Sequence, residues 1–431
     1  MTSLQLSTAS PTVDVTPVPF KRARRRVLLA AMFCYLFFYT GRQTFGFAIP
    51  GIEAEFGVTK EMLGWVSAVM LWCYALGQMI NGNLGDKFGG RRVMSAGAVL
   101  SCLANWAVSF STGVASLGAL WGLNGYFQAM GWAPGSRVLS NWFGPSERGR
   151  VFGCYVFAAG MASVLSFVTS ILVVHIFHLE WRWIFRIPVL LMLIGGVTFY
   201  FVARERPEDL GYASPHESVA QSSAPQDNES SRQRYGAVLS NWRIWMGGLA
   251  IGFQNAARYG LLVWVPVHFL GGDGSGPAES VRLIAPEWTT IALPVGMAIG
   301  AATNGYISDR YFATRRYIAI VIYMALAAAT ALGMYALPVS AVYSGLAVLF
   351  LCGFFVYGPQ ASFWALCPDL AGHQRAGTAV GVMNFFAYLF AGLGEPLIGR
   401  VMDNTGTTSV VFLLVAILSG ASALTAMFIR R

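Results

Sequence analysis

The chain has 431 residues, of which 55% are hydrophobic and only 11% are charged. Soluble globular domains carry about 25% charged residues, so this composition excludes a soluble protein and predicts one that crosses the lipid bilayer several times. The net charge of +9 comes from basic residues scattered through loops, a distribution that does not indicate a nucleic-acid partner.

The chain begins with a predicted cytoplasmic tail, residues 1–25. It is rich in Ser, Thr and Pro and lacks the basic start and apolar run of a cleavable signal peptide. A helix that spans the bilayer needs ~20 mostly apolar residues. Six such segments follow in a predicted bundle, residues 26–203, at about 26–50, 60–82, 93–112, 114–136, 150–174 and 182–203.

A polar, Ser-rich stretch at residues 204–242 predicts a cytoplasmic linker. Six more apolar segments follow it in a second predicted bundle, residues 243–431, at about 243–270, 286–306, 317–337, 341–366, 376–399 and 407–428. The expected fold is therefore an all-α membrane protein of twelve transmembrane helices in two six-helix bundles.

The basic residues indicate how the chain is oriented. Most of the 29 Lys and Arg residues fall on the side of the membrane shared by the tail and the linker. Basic residues are enriched in cytoplasmic loops, so we expect both termini in the cytoplasm. The pattern predicts a multi-pass protein of the inner (plasma) membrane.

Two arginines stand alone in apolar segments, Arg42 in the first and Arg258 in the seventh. A charge at mid-bilayer depth costs at least ~2.5 to 3.5 kcal/mol on insertion scales, and such residues mark functional sites. The pair predicts a central site for a small anionic substrate.

A loop pattern recurs at corresponding places in the two halves. GNLGDKFGGRR ends the second apolar segment and GYISDRYFATRR ends the eighth. In both, an aspartate follows the first glycine by four residues and a basic residue comes next, at Asp86 and at Asp309. The repeat, with Arg42 and Arg258 on corresponding segments, predicts pseudo-symmetric halves.

With this 6+6 plan and these Gly-x-x-x-Asp-basic loops, the chain resembles the major facilitator superfamily along nearly its whole length. The resemblance implies that the loop latches one conformation and releases it during alternating access. Asp86 and Asp309 would accept hydrogen bonds at a neighbouring helix N-terminus, and arginines would hold the loops in place: Arg91, Arg92, Arg137 and Arg310. A surface cluster that only sets topology is the alternative.

A closer resemblance is to the organophosphate:phosphate antiporters. It rests on YTGRQ from Tyr39, FQAMGWAPG from Phe127, WFGPSERG from Trp142, RERPEDLG from Arg204, RYGLLVWVP from Arg258, YGP from Tyr357 and AGTA from Ala376. Such proteins bind the substrate phosphate with one arginine on helix 1 and one on helix 7, positions that Arg42 and Arg258 match. A guanidinium stays charged, and its planar fork fits phosphate oxygens. Alternatively, one of them forms a buried ion pair, with Glu395 as the acidic residue inside a segment.

The sequence also departs from that family. Its members often add a lysine after the helix-1 arginine, a lysine on helix 2 and a histidine on helix 5, where this chain has Gln43, Gln78 and Ala159. Fewer cations favour a less charged organic anion over a doubly charged phosphate monoester. Other candidates to bind the substrate are Tyr39, Tyr74, Trp132, Tyr259, Tyr357, Asn384 and Tyr388, together with Gln43 and Gln78.

Glu395, in the eleventh segment, is the candidate for proton coupling. The proton affinity of a carboxyl in a low dielectric depends on nearby charges, so it would respond when an anion engages the arginines. The alternative is a structural carboxylate that contacts Arg400 or water beside a helix kink at Pro396.

No HExxH, P-loop or Ser/His/Asp pattern is present, so we expect neither an enzyme nor a bound cofactor or metal. We interpret the chain as a monomeric secondary active transporter. It would exchange a phosphorylated or phosphonate-type organic anion for inorganic phosphate by rocker-switch alternating access. One alternative is a carboxylate:H⁺ symporter of the anion:cation symporter type, in which the proton is the coupling ion. Another is a transporter-like membrane sensor.

Overall fold

The structure is a computed structural model that describes residues 18–213, 231–270, 286–312, 315–338, 341–371 and 376–429. Over these residues the chain is helical and contains no strand. This confirms the expected all-α fold class. Six helical stretches of the described chain are long and apolar enough, by length and composition alone, to cross a membrane.

Each predicted apolar segment of the first half corresponds to one helix or to two consecutive ones. Their bounds are α1 Val18–Phe38, α2 Phe45–Phe56, α3 Lys60–Phe88, α4 Gly90–Val108, α5 Val114–Gln128, α6 Trp132–Trp142, α7 Pro145–Ile171 and α8 Pro188–Val202. The ends follow ordinary sequence signals. The side chain of Thr59 accepts a hydrogen bond from Met62 N at 3.2 Å and caps α3. Gly57, with φ 62°, ends α2 in the left-handed conformation that favours glycine.

The second half follows the same plan, after a short helix in the predicted linker. Its helices are α9 Ser231–Leu239, α10 Trp242–Leu270, α11 Pro286–Thr289, α12 Ala292–Tyr311, α13 Arg316–Ala336, α14 Val342–Tyr357, α15 Gln360–Ala371, α16 Ala376–Thr405 and α17 Val410–Met427. All six predicted apolar segments of this half are therefore helical in the structure.

The first, fourth and tenth spans are interrupted in mid-course. A 3-10 turn, Tyr39–Gly41, separates α1 from α2; residues 129–131 separate α5 from α6; and residues 358–359 separate α14 from α15. A glycine occurs in each interruption, and glycine weakens a helix interior. In membrane proteins, broken helices are tolerated where their freed polar groups are buried in protein or line a binding site.

The helical bundle has two distinguishable ends. We call the end that carries Lys87, Arg91 and Arg137 the basic end. We call the opposite end, where α3 begins at Lys60 and Asp403 lies near the end of α16, the Asp403 end.

The two halves meet by close backbone approaches, in a region that we call the junction. Gly46 of α2 lies against the backbone carbonyl of Val263 in α10. A Cβ atom at Gly64 of α3 would come within 2.6 Å of Pro396 Cα in α16. Small residues allow such contact between membrane helices, so these glycines close the Asp403 end.

A polar contact also connects the halves at the junction. The carboxylate of Asp403, from α16, accepts hydrogen bonds from Lys60 N at 3.1 Å and Glu61 N at 2.8 Å. It thereby caps the first turn of α3, where a negative charge is favourable. One hydrophobic cluster continues from the first half into the second, with members that include Phe45, Ile52, Leu63, Leu262, Val263 and Ile398.

Candidate functional site

Arg42 lies in the interruption of the first span. It follows the 3-10 turn Tyr39–Gly41, has φ −142° and ψ −27°, and is only 9% exposed. The backbone nitrogens of Arg42 and Gln43 both donate to the Tyr39 carbonyl, at 3.0 and 2.9 Å. The guanidinium is thus projected from a non-helical segment at the centre of the protein.

Buried amides stabilise that interruption. The carbonyl of Gly41 accepts hydrogen bonds from Asn105 Nδ2 at 3.1 Å and Asn124 Nδ2 at 2.7 Å. Asn124 Oδ1 in turn accepts from the hydroxyl of Ser101 at 2.6 Å. Since an unpaired buried carbonyl costs about 1–3 kcal/mol, these side chains hold the broken segment in place. Asn105 and Asn124 were not predicted from the sequence, although amides inside apolar segments are themselves a signal.

Arg258 is placed differently, on the uninterrupted helix α10. It is 5% exposed, and its Cζ atom lies 4.1 Å from the centroid of the Tyr357 ring. Tyr357 is the last residue of α14, just before the interruption of the tenth span. The carbonyl of the preceding residue, Val356, accepts a hydrogen bond from Gln254 Nε2 at 2.9 Å. Helix α10 therefore supplies both the arginine and the side chain that secures its tyrosine.

Tyrosines link the two arginines. Arg42 Cζ lies 3.9 Å from the ring centroid of Tyr39 and 4.9 Å from that of Tyr74. The hydroxyl of Tyr39 interacts with Arg258, and that of Tyr74 interacts with Arg42. Tyr39 therefore contacts an arginine from each half.

The second half contributes the other tyrosines. The ring centroid of Tyr388 is 4.8 Å from that of Tyr74 and 6.0 Å from that of Tyr259. Tyr259 also lies 5.0 Å from Arg258 Cζ. We call Tyr39, Tyr74, Tyr259, Tyr357 and Tyr388 the tyrosine cage.

The cage leaves the two positive charges unneutralised. Within the described chain, no carboxylate forms a salt bridge with Arg42 or Arg258, and the Nε atom of each lacks a hydrogen-bond partner. A cation over an aromatic ring gains about 0.5–2 kcal/mol, less than the several kcal/mol that burying an ion costs. Two guanidiniums and phenol hydroxyls are suited to bind an anion. The ion pair with Glu395 is not among the described contacts.

Two further candidates lie beside this centre. Gln43 is buried, and neither polar atom of its amide has a hydrogen-bond partner among the described residues. It lines a cavity of about 20 Å³ together with Arg42 and Tyr259. Trp132 stacks on Tyr155 with ring centroids 5.0 Å apart. Trp132 thus belongs to an aromatic surface on the first half.

Gln78 and Asn384 are less closely placed. They follow Tyr74 and precede Tyr388 by four residues on α3 and α16, which puts both one turn nearer the basic end on the faces of those tyrosines. Each is partly exposed. Neither forms a recorded hydrogen bond to an arginine within the described residues.

At the basic end, the carboxylate of Glu205 caps the N-terminus of helix α4. Its oxygens accept from Gly90 N at 2.9 Å and Arg91 N at 2.8 Å, and Arg137 Nε lies 3.6 Å away. The side chain of Arg91 also donates to the Ala203 carbonyl at 3.3 Å. The predicted latch arginines Arg91 and Arg137 therefore meet on Glu205.

Glu205 was not singled out from the sequence, although it lies in the RERPEDLG motif. Arg92 lines a cavity of about 820 Å³ at the basic end, together with Arg91, Arg137 and Glu205. The side chains of Asp86 and Asp309 lie outside the described part, so their predicted contacts are not described. In the second half, Arg310 is exposed, and Arg316 Nε lies 3.3 Å from Asp369.

Glu395, the proton-coupling candidate, is fully buried at the junction. The indole of Trp264 interacts with its carboxyl group. Arg400 is turned elsewhere, with its Nε atom 4.0 Å from the carboxylate of Glu61.

Comparison with known proteins places this geometry in context. The family described as Major Facilitator Superfamily matches residues 31–395. A crystal structure of a bacterial homologue of the human lysosomal transporter Spinster, inward-facing and unoccupied, superposes with a TM-score of 0.71 over 96% of this chain and 95% of that one. The two are 15% identical, so the likeness shows the fold alone.

Similar sequences come from several bacteria. The chain is 25% identical over 403 residues to the "Probable hexose phosphate transport protein" of Chlamydia muridarum, covering 90% of this chain and 87% of that protein. It is 27% identical over 399 residues to the "Glycerol-3-phosphate transporter" of Bacillus subtilis, covering 89% and 87%. It is also 25% identical over 409 residues to "Membrane sensor protein UhpC" of Escherichia coli, covering 93% and 91%.

Proposed function

Since the chain belongs to the major facilitator superfamily, a family of membrane transporters rather than enzymes, we propose that it exchanges a small phosphorylated or phosphonate-type organic anion for inorganic phosphate. Arg42 and Arg258 bind the anionic group, one from each half. The observation that carries the proposal is the pair of buried arginines without a carboxylate partner in the described chain. Relatives named for hexose phosphate and glycerol 3-phosphate support it.

The charges fit this substrate class. The missing cations favoured a less charged anion at the level of sequence, but the two guanidiniums balance the two negative charges of a phosphate monoester, and the phenol hydroxyls of the tyrosine cage add neutral donors. They take the place of the further cations expected from the antiporter resemblance. The organic part of the substrate then lies against aromatic surface, such as the stacked rings of Trp132 and Tyr155.

Transport follows from opening and closing the junction. In this structure, contacts such as Gly46 with Val263 close the Asp403 end. Rocking one half against the other separates these helices and exposes the arginines to the opposite side. At the basic end, release of Glu205 from the α4 N-terminus accompanies that movement. The positive-inside pattern supports an orientation in an inner membrane with the basic end and both termini in the cytoplasm.

Counterflow in proteoliposomes tests the proposal. Vesicles loaded with inorganic phosphate are expected to take up labelled phosphate, glycerol 3-phosphate or a hexose phosphate without an imposed pH gradient. Arg42→Lys and Arg258→Lys keep the charge but lose the bidentate fork. Each is expected to lower uptake by ten- to one-hundred-fold, since a charge-assisted hydrogen bond contributes about 1.5–3 kcal/mol. Near-normal uptake by Arg258→Lys contradicts the role given to the arginines.

Arg186→Lys is the matched control, because its Nε atom hydrogen-bonds Ser109 at 2.8 Å, away from the tyrosine cage. It is expected to transport normally. Uptake of carboxylates that depends on a pH gradient, and not on internal phosphate, would instead establish the symporter alternative. Binding of phosphate esters without any flux would establish a sensor.

A further inference from the structure

Glu395 lies at one of the close backbone approaches between the two halves. It is 0% exposed. A Cβ atom on Gly64, in the first half, would lie 2.6 Å from both the backbone oxygen of Glu395 and Pro396 Cα. Residue 395 therefore lies on the face of α16 that packs against α3 at the junction.

The carboxyl has few polar neighbours. Neither of its oxygens has a well-formed hydrogen bond within the described chain, and the indole of Trp264 is the recorded polar group beside it. The ionisable groups of the helices packed around it interact elsewhere. On α3, Lys60 pairs with Glu53 at 2.8 Å. On α10, Arg258 faces Tyr357, and His268 Nδ1 lies 2.8 Å from the Thr408 hydroxyl.

The ionisable groups of α16 itself also interact with residues other than Glu395. Asp403 is engaged by Lys60 N and Glu61 N, and Arg400 lies 4.0 Å from Glu61. Within the described chain, no cation contacts the Glu395 carboxylate to balance a negative charge in the closed junction. An ionised carboxylate in such a place is strongly disfavoured, whereas a neutral carboxylic acid is tolerated.

We propose that Glu395 is a proton-binding site of the transport cycle. As the junction closes, a carboxylate oxygen takes a proton from water on the Asp403 side. As the junction opens, water reaches the group and the proton returns to that same side. The inference rests on the alternating access of the proposed function, and it is independent of which anion occupies the arginines.

The burial of Glu395 determines the side of the membrane with which it exchanges its proton. Because Glu395 is fully enclosed in the closed state, its proton enters and leaves on the Asp403 side alone. The group therefore makes closure depend on the pH of that side, without carrying a net proton across the membrane. This differs from a coupling proton that travels with the substrate.

Spin-label distances across the Asp403 end test the site without any substrate. Thr112→Cys and Thr407→Cys place labels on exposed loops of opposite halves, in full-length protein whose six cysteines are replaced by alanine. With one linked proton, the ratio of closed to open molecules falls with rising pH, by at most tenfold per pH unit. Measurements from pH 5 to 9 should show the short-distance population decreasing.

Glu395→Gln, which is neutral at every pH, is expected to remain closed and lose this dependence, and Glu395→Leu should behave alike. Glu180→Gln is the matched control, since Glu180 is an exposed carboxylate at the same end; it should keep the wild-type slope. The proposal is overturned if the wild-type distance distribution does not change with pH, or if the pH dependence persists in Glu395→Gln and Glu395→Leu.

A parallel assay separates this proposal from the proposed function. Exchange of labelled inorganic phosphate is compared in wild type and Glu395→Gln at equal pH on both sides. Because phosphate itself changes charge with pH, both proteins share that variation, and the further pH dependence that Glu395 adds should appear in wild type alone. If phosphate exchange is absent while the distances still respond to pH through Glu395, the proton site stands and the phosphate proposal fails. If phosphate exchange is present but the distances do not respond to pH, the phosphate proposal stands and the proton site fails.

Discussion

The two halves hold their buried arginines on different backbone structures. In the first half, the arginine itself lies in a broken helix, and Asn105 and Asn124 hold the freed carbonyl of Gly41. In the second half, Arg258 lies on an unbroken helix, and the nearby interruption belongs to the helix of Tyr357. The two halves therefore differ in backbone conformation around the two arginines, although their helices follow the same plan.

This difference indicates which of the two arginine regions a mutation deforms more easily. The conformation of Arg42 depends on side-chain hydrogen bonds from other helices, because its own backbone lacks the continuous helical pattern. Arg258 is fixed by its own helix. We therefore expect the first half to respond more strongly to loss of a supporting side chain, and the second half to respond more through its tyrosine.

The largest effect is expected from the supporting amides. Asn124→Leu removes the 2.7 Å hydrogen bond to Gly41 and leaves the Ser101 hydroxyl without its acceptor. An unsatisfied buried polar group costs about 1–3 kcal/mol, so we expect a clear fall in thermal stability and at least a tenfold loss of phosphate exchange. Melting temperature and exchange rate of the purified protein measure both.

Gln254→Leu is the matched change in the second half, where Gln254 supports Val356 at 2.9 Å. Because Arg258 keeps its helix, we expect a smaller loss of exchange than in Asn124→Leu. Equal losses in the two variants would show that the broken and unbroken helices hold their arginines equally firmly.

The sequence predicted the membrane class, the helical spans and the positions of the two arginines, because lone charges and long apolar runs are visible without coordinates. It also predicted several tyrosines that now surround the arginines. It did not predict that Arg42 lies in a helix break, because a single glycine in an apolar run does not distinguish a break from a tolerated helical residue. The partners of the break, Asn105 and Asn124, come from other segments, and their common target is visible only in three dimensions.

The contact between Glu205 and the α4 N-terminus shows a similar limit to prediction from sequence. The basic residues near Arg91 were predicted from the loop pattern, whereas Glu205 is more than one hundred residues away along the chain. Its pairing with the α4 N-terminus depends on where α8 ends. A motif locates one side of such a contact, and the packing of helices determines the other.

An intermediate effect is expected at this contact of Glu205 with the α4 N-terminus. Glu205→Gln keeps the size of the side chain but removes the charge that caps Gly90 N and Arg91 N. A cap of this kind contributes about 0.5–2 kcal/mol, so the melting temperature should fall by a few degrees and the rate of phosphate exchange should change with it.

Asp369→Asn provides the second-half comparison, since Asp369 lies 3.3 Å from Arg316 but is partly exposed. Exposed ion pairs contribute about 0–1 kcal/mol and weaken in salt, so we expect little change in stability. If Asp369→Asn destabilises the protein more than Glu205→Gln, the ion pair at the basic end of the second half stabilises the protein more than the Glu205 cap does.

The smallest effect is expected within the tyrosine cage. Tyr39→Phe keeps the ring 3.9 Å from Arg42 but removes the hydroxyl that interacts with Arg258. Tyr357→Phe keeps the ring 4.1 Å from Arg258. A neutral hydrogen bond contributes about 0.5–1.5 kcal/mol, so each change should weaken phosphate binding by roughly two- to ten-fold.

Tyr39→Phe should have the greater effect, because its hydroxyl interacts with Arg258 of the other half, whereas the Tyr357 ring contacts the arginine of its own half. Titration calorimetry with inorganic phosphate measures the affinities, with Tyr343→Phe, an exposed tyrosine of the second half, as the control. Greater weakening by Tyr357→Phe would mean that anion binding depends more on the unbroken helix than on contact between the halves.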